Sequence, residues 1–201
     1  MIDKSLPHGS VIMVKRNMDT YPRYAIPEGF VIRSYREGDE TEWADIAKEQ
    51  FLLESDEAAM SLFHTVFDEH PEWMNCCLFA VEEKTGKIAA MLSLWEGGIF
   101  DAPYKKIHWV ATREEFRGRG IISAMITYAL DLYHELGARD YCLLQTGTWN
   151  WQAIRIYKKF GFEAWLGEDP KPDFYFDPEL EHRNWKIIDD KIAEFEKSRK
   201  K

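Results

Sequence analysis

The chain has 201 residues, 45% hydrophobic and 14% aromatic, which is enough apolar mass for one domain with a full core and an appended element. A formal net charge of −9 argues against nucleic acid as a partner and favours a cationic small molecule or a basic peptide. No apolar run approaches the roughly 20 residues of a membrane span, no secretory leader follows Met1, and Cys76, Cys77 and Cys142 read as thiols of a reducing cytosol. A cytoplasmic protein with no membrane contact and no metal is the expectation.

Residues 1–28 carry Pro7, Pro22 and Pro27 around the short run Val11–Val14 and read as an N-terminal extension. Gly29 to Tyr35 alternates as a strand. Asp39-Glu40-Thr41-Glu42 resembles an N-cap with a capping-box acid, and Trp43, Ile46, Ala47 and Phe51 continue a helical face. Asp56 is placed to cap a second helix with Ala59, Met60, Phe63 and Phe67 inward, ended by His70-Pro71. Strands follow at Cys77–Val81 and Lys87–Trp95, joined by the turn Glu83-Lys84-Thr85-Gly86, and Gly97 and Gly98 break the second.

A fourth strand is expected over Ile107–Thr112. After it comes Arg117-Gly118-Arg119-Gly120-Ile121, then an amphipathic helix on Ile122, Met125, Ile126, Ala129, Leu132, Tyr133 and Leu136, which runs to Gly137. A polar, glycine-spaced loop that opens a helix offers backbone N–H groups and a positive dipole end to an anion. The apolar run Tyr141–Gln145 suits a buried parallel strand. Asn150 begins a helix with Ala153, Ile156, Tyr157 and Phe160 on one face and Gly161 at its end, before a last strand Phe162–Leu166. Trp185, Ile188, Ile192 and Phe195 define a charged amphipathic C-terminal helix. Its apolar side is open to packing on the domain or on the partner subunit of a homodimer.

The loop has no Gly-x-x-x-x-Gly-Lys-Ser/Thr phosphate motif. A dinucleotide fingerprint fails because position 123 is Ser and Asp140 precedes the next strand instead of ending it. Two segments instead resemble motifs of the GNAT acetyltransferase superfamily. Residues Val110 to Ile121 are similar to its strand and Arg/Gln-x-x-Gly-x-Gly/Ala pyrophosphate loop. Residues Asn150 to Phe162 are similar to its Asn-x-x-Ala-x-x-x-Tyr-x-x-x-Gly-Phe signature. The resemblance covers about residues 29–168, which are expected to form the acetyltransferase domain, with 169–201 a C-terminal segment carrying the amphipathic helix. Ile122 departs from the family's second Gly or Ala in the loop.

The resemblance implies an α/β (α+β) acyl-CoA N-acyltransferase fold, with a central mixed sheet of six to seven strands, flanking helices and the C-terminal helix. It also implies transfer of an acetyl group from acetyl-CoA to a primary amine of a small molecule or peptide. Backbone at Val110, Ala111 and Thr112 would bind pantetheine, and the amides of Arg117, Gly118, Arg119, Gly120, Ile121 and Ile122 would hold pyrophosphate. Asn150 would contact pantetheine, or else simply cap its helix. Tyr157 would protonate the leaving thiolate, the alternative being a core aromatic. Arg117 and Arg119 would pair with phosphates, or be solvated loop arginines. His108, Glu96 or a water chain would serve as base. Trp95, Trp109, Trp149 and Trp151 would shape an acceptor pocket or belong to the core. A CoA-binding module without catalysis, and an acyltransferase of different acyl or hydroxyl-acceptor specificity, stay open as alternatives.

Overall fold

The computed structural model describes residues 2–51, 53–96, 105–137, 141–167 and 177–199. Its elements in chain order are β1 (Ser10–Lys15), β2 (Phe30–Ser34), α1 (Glu40–Phe51), α2 (Asp56–Phe67), β3 (Cys77–Glu82), β4 (Ile88–Glu96) and β5 (Lys105–Thr112). After these come α3 (Ile121–Glu135), β6 (Cys142–Gly147), α4 (Trp151–Lys159), β7 (Glu163–Ala164) and α5 (Pro178–Ser198). The strands make a seven-stranded mixed sheet in the order β2-β3-β4-β5-β6-β1-β7. The chain divides into two compact units, one of residues 23–95 and 107–137 and one of residues 1–22, 96–106 and 138–201.

In the first unit β2, β3 and β4 are antiparallel neighbours, with Ile32 opposite Ala80 and Phe79 opposite Met91. The β3–β4 hairpin closes as expected: Glu82 N–H donates to Lys87 O, and Gly86 takes φ 75° in the turn. The core is built on Trp43, Ile46 and Ala47 of α1 and Phe63 and Phe67 of α2, packed with Cys77, Phe79 and Met91 of the sheet. Trp43 meets Phe63, Phe67 and Trp109 edge-on at 5.4, 5.9 and 5.2 Å, so truncating this one ring would cost about 3–5 kcal/mol.

The helix caps differ from the sequence reading. Ser55, not Asp56, caps α2: its hydroxyl accepts from Ala58 N–H, while Asp56 pairs with Lys48. Asp39 precedes α1, but its carboxylate turns back to Arg36 N–H and the Arg33 guanidinium, which holds it below the usual carboxylate range against the opposing effect of burial. On α3 the inward stripe runs through Ile121, Met125, Ala129 and Tyr133. Leu136 lies outside it, 47% exposed beyond the helix end.

In the second unit β1 lies between β6 and β7. It is antiparallel to β6 over six pairs, from Ser10↔Gly147 to Lys15↔Cys142, and to β7 at Met13↔Ala164 and Val14↔Glu163. Val11, Met13 and Val14 are completely buried, so the run that reads as part of an extension is an interior strand of this unit. A four-residue apolar run cannot declare its partners, because strand pairing depends on distant chain. β7 is shorter than the expected Phe162–Leu166 and leaves Ile12 N–H uncovered. Glu181 of α5 accepts that N–H at 2.9 Å and the Trp185 indole N–H at 3.2 Å, and Asn184 donates to Ser10 O at 3.0 Å. The C-terminal helix thus packs on its own chain, with Trp185 and Ile188 buried as the spacing predicts. On α4 the buried residues are Trp151, Ile154 and Tyr157, followed by Phe160, while Ala153 and Ile156 are only half-buried.

Candidate functional site

β5 leads directly into the glycine loop. After a single 3-10 turn over Glu114–Phe116, Gly118 and Gly120 take φ 77° and 84°, and Gly120 occupies the cap position from which the 15-residue α3 starts. No side chain caps α3, so its first N–H groups are left to another acceptor. A Cβ placed on Gly118 or Gly120 would meet nothing within 4 Å. The glycines are therefore required for positive φ and not for close packing, and the loop presents an open backbone face. Such a face at a helix N-terminus suits a diphosphate. Ile121 is buried and Ile122 half-buried at the helix start, so the irregular position packs its side chain without closing the loop.

Every arginine near the loop is engaged by protein. Arg113 is buried: its Nε donates to Ile88 O at 3.0 Å, one Nη to Glu42 at 2.9 Å and the other to Asp45. Arg117 donates from Nε to Thr112 O at 3.1 Å and from Nη2 to Glu49 at 2.9 Å. Arg119 reaches Glu115 O at 3.1 Å and lies over the Phe116 ring. Glu42, Asp45 and Glu49 are spaced i, i+3 and i+7 on α1, one helical stripe; only Glu42 stands out in the sequence, as a capping-box acid, and its carboxylate goes to Arg113 instead. The stripe is visible in sequence, but its partners lie 68 to 71 residues away and nothing local links them.

The strand carries one backbone outlier. Trp109 has φ 51°, the one positive φ among the described non-glycine residues, in a region a bulky side chain rarely enters. The turned peptide sends Trp109 N–H to His108 Nδ1 at 3.0 Å. Nδ1 therefore accepts, and the proton of the neutral ring is on Nε2. The His108 ring lies flat on Trp95 (4.5 Å, 4°), Trp95 on Trp73 (4.6 Å, 22°) and Trp73 on His70 (3.8 Å, 16°). Phe51 and Trp43 meet Trp109 edge-on. Trp95 and Trp109 thus rim the first unit's core, and their buried indole N–H groups have no partner among the described residues. Glu96 ends β4, and its side chain lies outside the described residues, as do Gly97 and Gly98. Lys106, two residues before His108, is 6% exposed, and burial alone lowers its amine to about 8.

In the other unit β6 ends at Gly147 and a 3-10 turn, Thr148–Asn150, delivers α4. Asn150 holds the position before α4 but makes no capping bond; its amide donates instead to Thr146 Oγ1 at 3.4 Å, back along β6. Tyr157 is 5% exposed, and its hydroxyl makes no hydrogen bond to a described residue. Burial pushes its pKa upward, so the phenol stays protonated. Trp151 is a core residue that donates to Asp3 and packs on Phe195 of α5, and Trp149 stacks on His8 over Gly147. Neither of these two rings is left free for a ligand-binding wall.

Comparison with known proteins agrees with this arrangement. Residues 40–162 match the model of the acetyltransferase (GNAT) family, and the chain belongs to that family. Among solved structures, a GCN5-related N-acetyltransferase from Sphaerobacter thermophilus superposes with TM-score 0.62 at 25% identity over 79% of this chain and 49% of its own. An acetyltransferase of the GNAT family from Colwellia psychrerythraea gives 0.59 at 13%, over 79% and 54%. A predicted acetyltransferase from Clostridium acetobutylicum, solved with acetyl-CoA, gives 0.52 at 16%, over 74% and 94%, and supports the fold alone. The chain spans about half the length of the first of these neighbours. No curated protein matches it at a significant level. Among the described residues no helix is long and apolar enough to cross a membrane, and no three His, Cys, Asp or Glu side chains group as metal ligands.

Proposed function

We propose that the chain is an N-acetyltransferase that carries an acetyl group from acetyl-CoA to a primary amine of a small molecule or peptide, by direct attack with both bound. The observation that carries this reading is the open glycine loop at the uncapped N-terminus of α3, directly after β5. When bound, acetyl-CoA supplies the acyl group as an activated thioester. The amides from Arg117 to Ile122, with the α3 dipole, hold its pyrophosphate. Backbone at Val110, Ala111 and Thr112 pairs with the pantetheine arm like an added strand, and Asn150 contributes its amide. A backbone N–H near Val110 polarises the thioester carbonyl.

Tyr157 donates its proton to the departing sulfur. Its raised pKa keeps that proton in place, and its hydroxyl has no described partner to surrender. His108 takes the proton of the incoming amine. Nδ1 is the atom that receives it, so the Trp109 N–H contact is given up as the ring becomes charged. Cytoplasmic placement suits the three free thiols.

A free-thiol assay with acetyl-CoA against a panel of primary amines tests the reading. Wild type should release CoA thiol with at least one amine, and Tyr157→Phe should lower kcat by roughly 10²-fold or more while leaving the melting temperature unchanged. Stabilisation by acetyl-CoA with no thiol release across the panel would make the chain a silent CoA-binding module. Unchanged turnover in Tyr157→Phe would remove Tyr157 from the chemistry.

A further inference from the structure

The proposed donor site has an unexplained neighbour: an acidic helix face beside a loop meant for an anion. Arg113 and Arg117 are four residues apart, and Glu42, Asp45 and Glu49 of α1 meet them in register, Glu42 and Asp45 on Arg113 and Glu49 on Arg117. The two arginines are not equivalent. Arg113, with 9% of its side chain exposed, has all three nitrogens committed and is a fixed staple. Arg117, 27% exposed, commits only Nε and Nη2, which leaves the Nη1 donors without a described partner on the residue that opens the loop.

An arginine fork anchored at two nitrogens has lost its rotamer freedom before any anion arrives. The Thr112 carbonyl fixes the depth of the guanidinium and the Glu49 carboxylate fixes its rotation, so the third nitrogen is held out in a set direction. Glu49 also offsets the charge of Arg117, so its value to the loop is orientation and not added positive potential.

We infer that Glu49 is a positioning residue for the donor: it orients Arg117 so that the free Nη1 edge meets a phosphate of CoA at the glycine loop, placing one determinant of donor affinity on α1. The inference rests on the CoA reading above. The opposite arrangement, in which Glu49 merely occupies Arg117 and repels the phosphates, predicts the opposite sign and is settled by the same measurement.

Isothermal titration with CoA itself, with no acceptor present, is the test. Wild type binds CoA. Glu49→Ala, which removes the acceptor, raises its Kd roughly three- to tenfold, and Arg117→Lys, which keeps the charge but loses the fork, raises it by a similar factor. The double variant is no worse than either, because both remove one oriented contact. In turnover the change falls on the KM for acetyl-CoA and not on kcat. Should Glu49→Ala lose its fold, Glu49→Asp, too short to reach the guanidinium, carries the same expectation. If wild type binds no CoA, both the donor reading and this inference fall. If wild type binds CoA and Glu49→Ala binds it equally or more tightly, or the two substitutions add, the donor reading stands and the inference alone is overturned.

Discussion

His108, Trp109 and Lys106 are neighbours on one strand, yet each has a different physical standing. His108 is held from two sides, by the Trp95 face and by the N–H of a residue in a disfavoured conformation. If it is the base, His108→Ala should cost most near neutral pH, where the amine substrate is charged. The deficit should narrow as pH approaches the amine's own pKa, because the nucleophile then arrives unprotonated. A pH–rate profile of both proteins measures this, and a deficit that is uniform across pH would assign the histidine a structural role. Lys106 offers a prediction about stability. Its amine is lowered to about 8 by burial, so the folded chain gives up the proton more readily than the unfolded chain, whose ordinary value is about 10.4. Its contribution is complete above the unfolded value and is lost as pH falls through about 8. Lys106→Met should therefore raise the melting temperature at pH 7, with the gain shrinking toward pH 10; a gain that does not vary with pH would mean packing and not charge is responsible.

At the scale of elements, α5 is joined to β1 by polar atoms in place of a further strand. Glu181 accepts two N–H groups, and burial raises its pKa against their opposing effect. The carboxylate is thus favoured as an acceptor and disfavoured as a charge. A neutral glutamine keeps an acceptor oxygen without the desolvation cost, so Glu181→Gln should be at least as stable as wild type at pH 7. Glu181→Ala leaves Ile12 N–H and the Trp185 indole N–H unpaired and should lose about 1–3 kcal/mol. Denaturant melts of the three proteins decide it, and equal loss in both variants would mean that the contact is more than an acceptor. For the wild-type carboxyl, a raised folded value means its contribution is present at low pH and fades as pH rises through that value. The glycine loop works differently. Its two positive φ angles are local demands that only glycine meets cheaply, and for that reason its sequence announces its shape.

At the scale of the molecule, the segment that carries the family signature is not the segment that closes the structure. The family match covers residues 40–162, whereas β1 and α5 lie outside it and complete one compact unit. A chain limited to residues 29–168 lacks the strand between β6 and β7 and the helix that covers Ile12. It exposes Leu143, Leu144 and Trp165, which are buried in the full chain. It should fail to unfold cooperatively in a thermal melt read by circular dichroism, whereas the full chain should show a single sharp transition; cooperative melting of the short chain would make residues 1–28 and 169–201 true appendages.

The sequence by itself determined most of the helices, the hairpin at 83–86, the glycine loop and the family, because each is written in short-range periodicity or in residues whose type is demanded by local backbone. Tertiary structure alone decided the place of Val11–Val14 within a sheet, the pairing of α1 acids with Arg113 and Arg117, and the turning of Trp109 N–H onto His108. It also decided that Ile154, and not Ile156, faces inward on α4. Those contacts join residues far apart in the chain, or depend on a conformation that propensity disfavours. Their energy exists only after the chain has folded, so no local pattern records them.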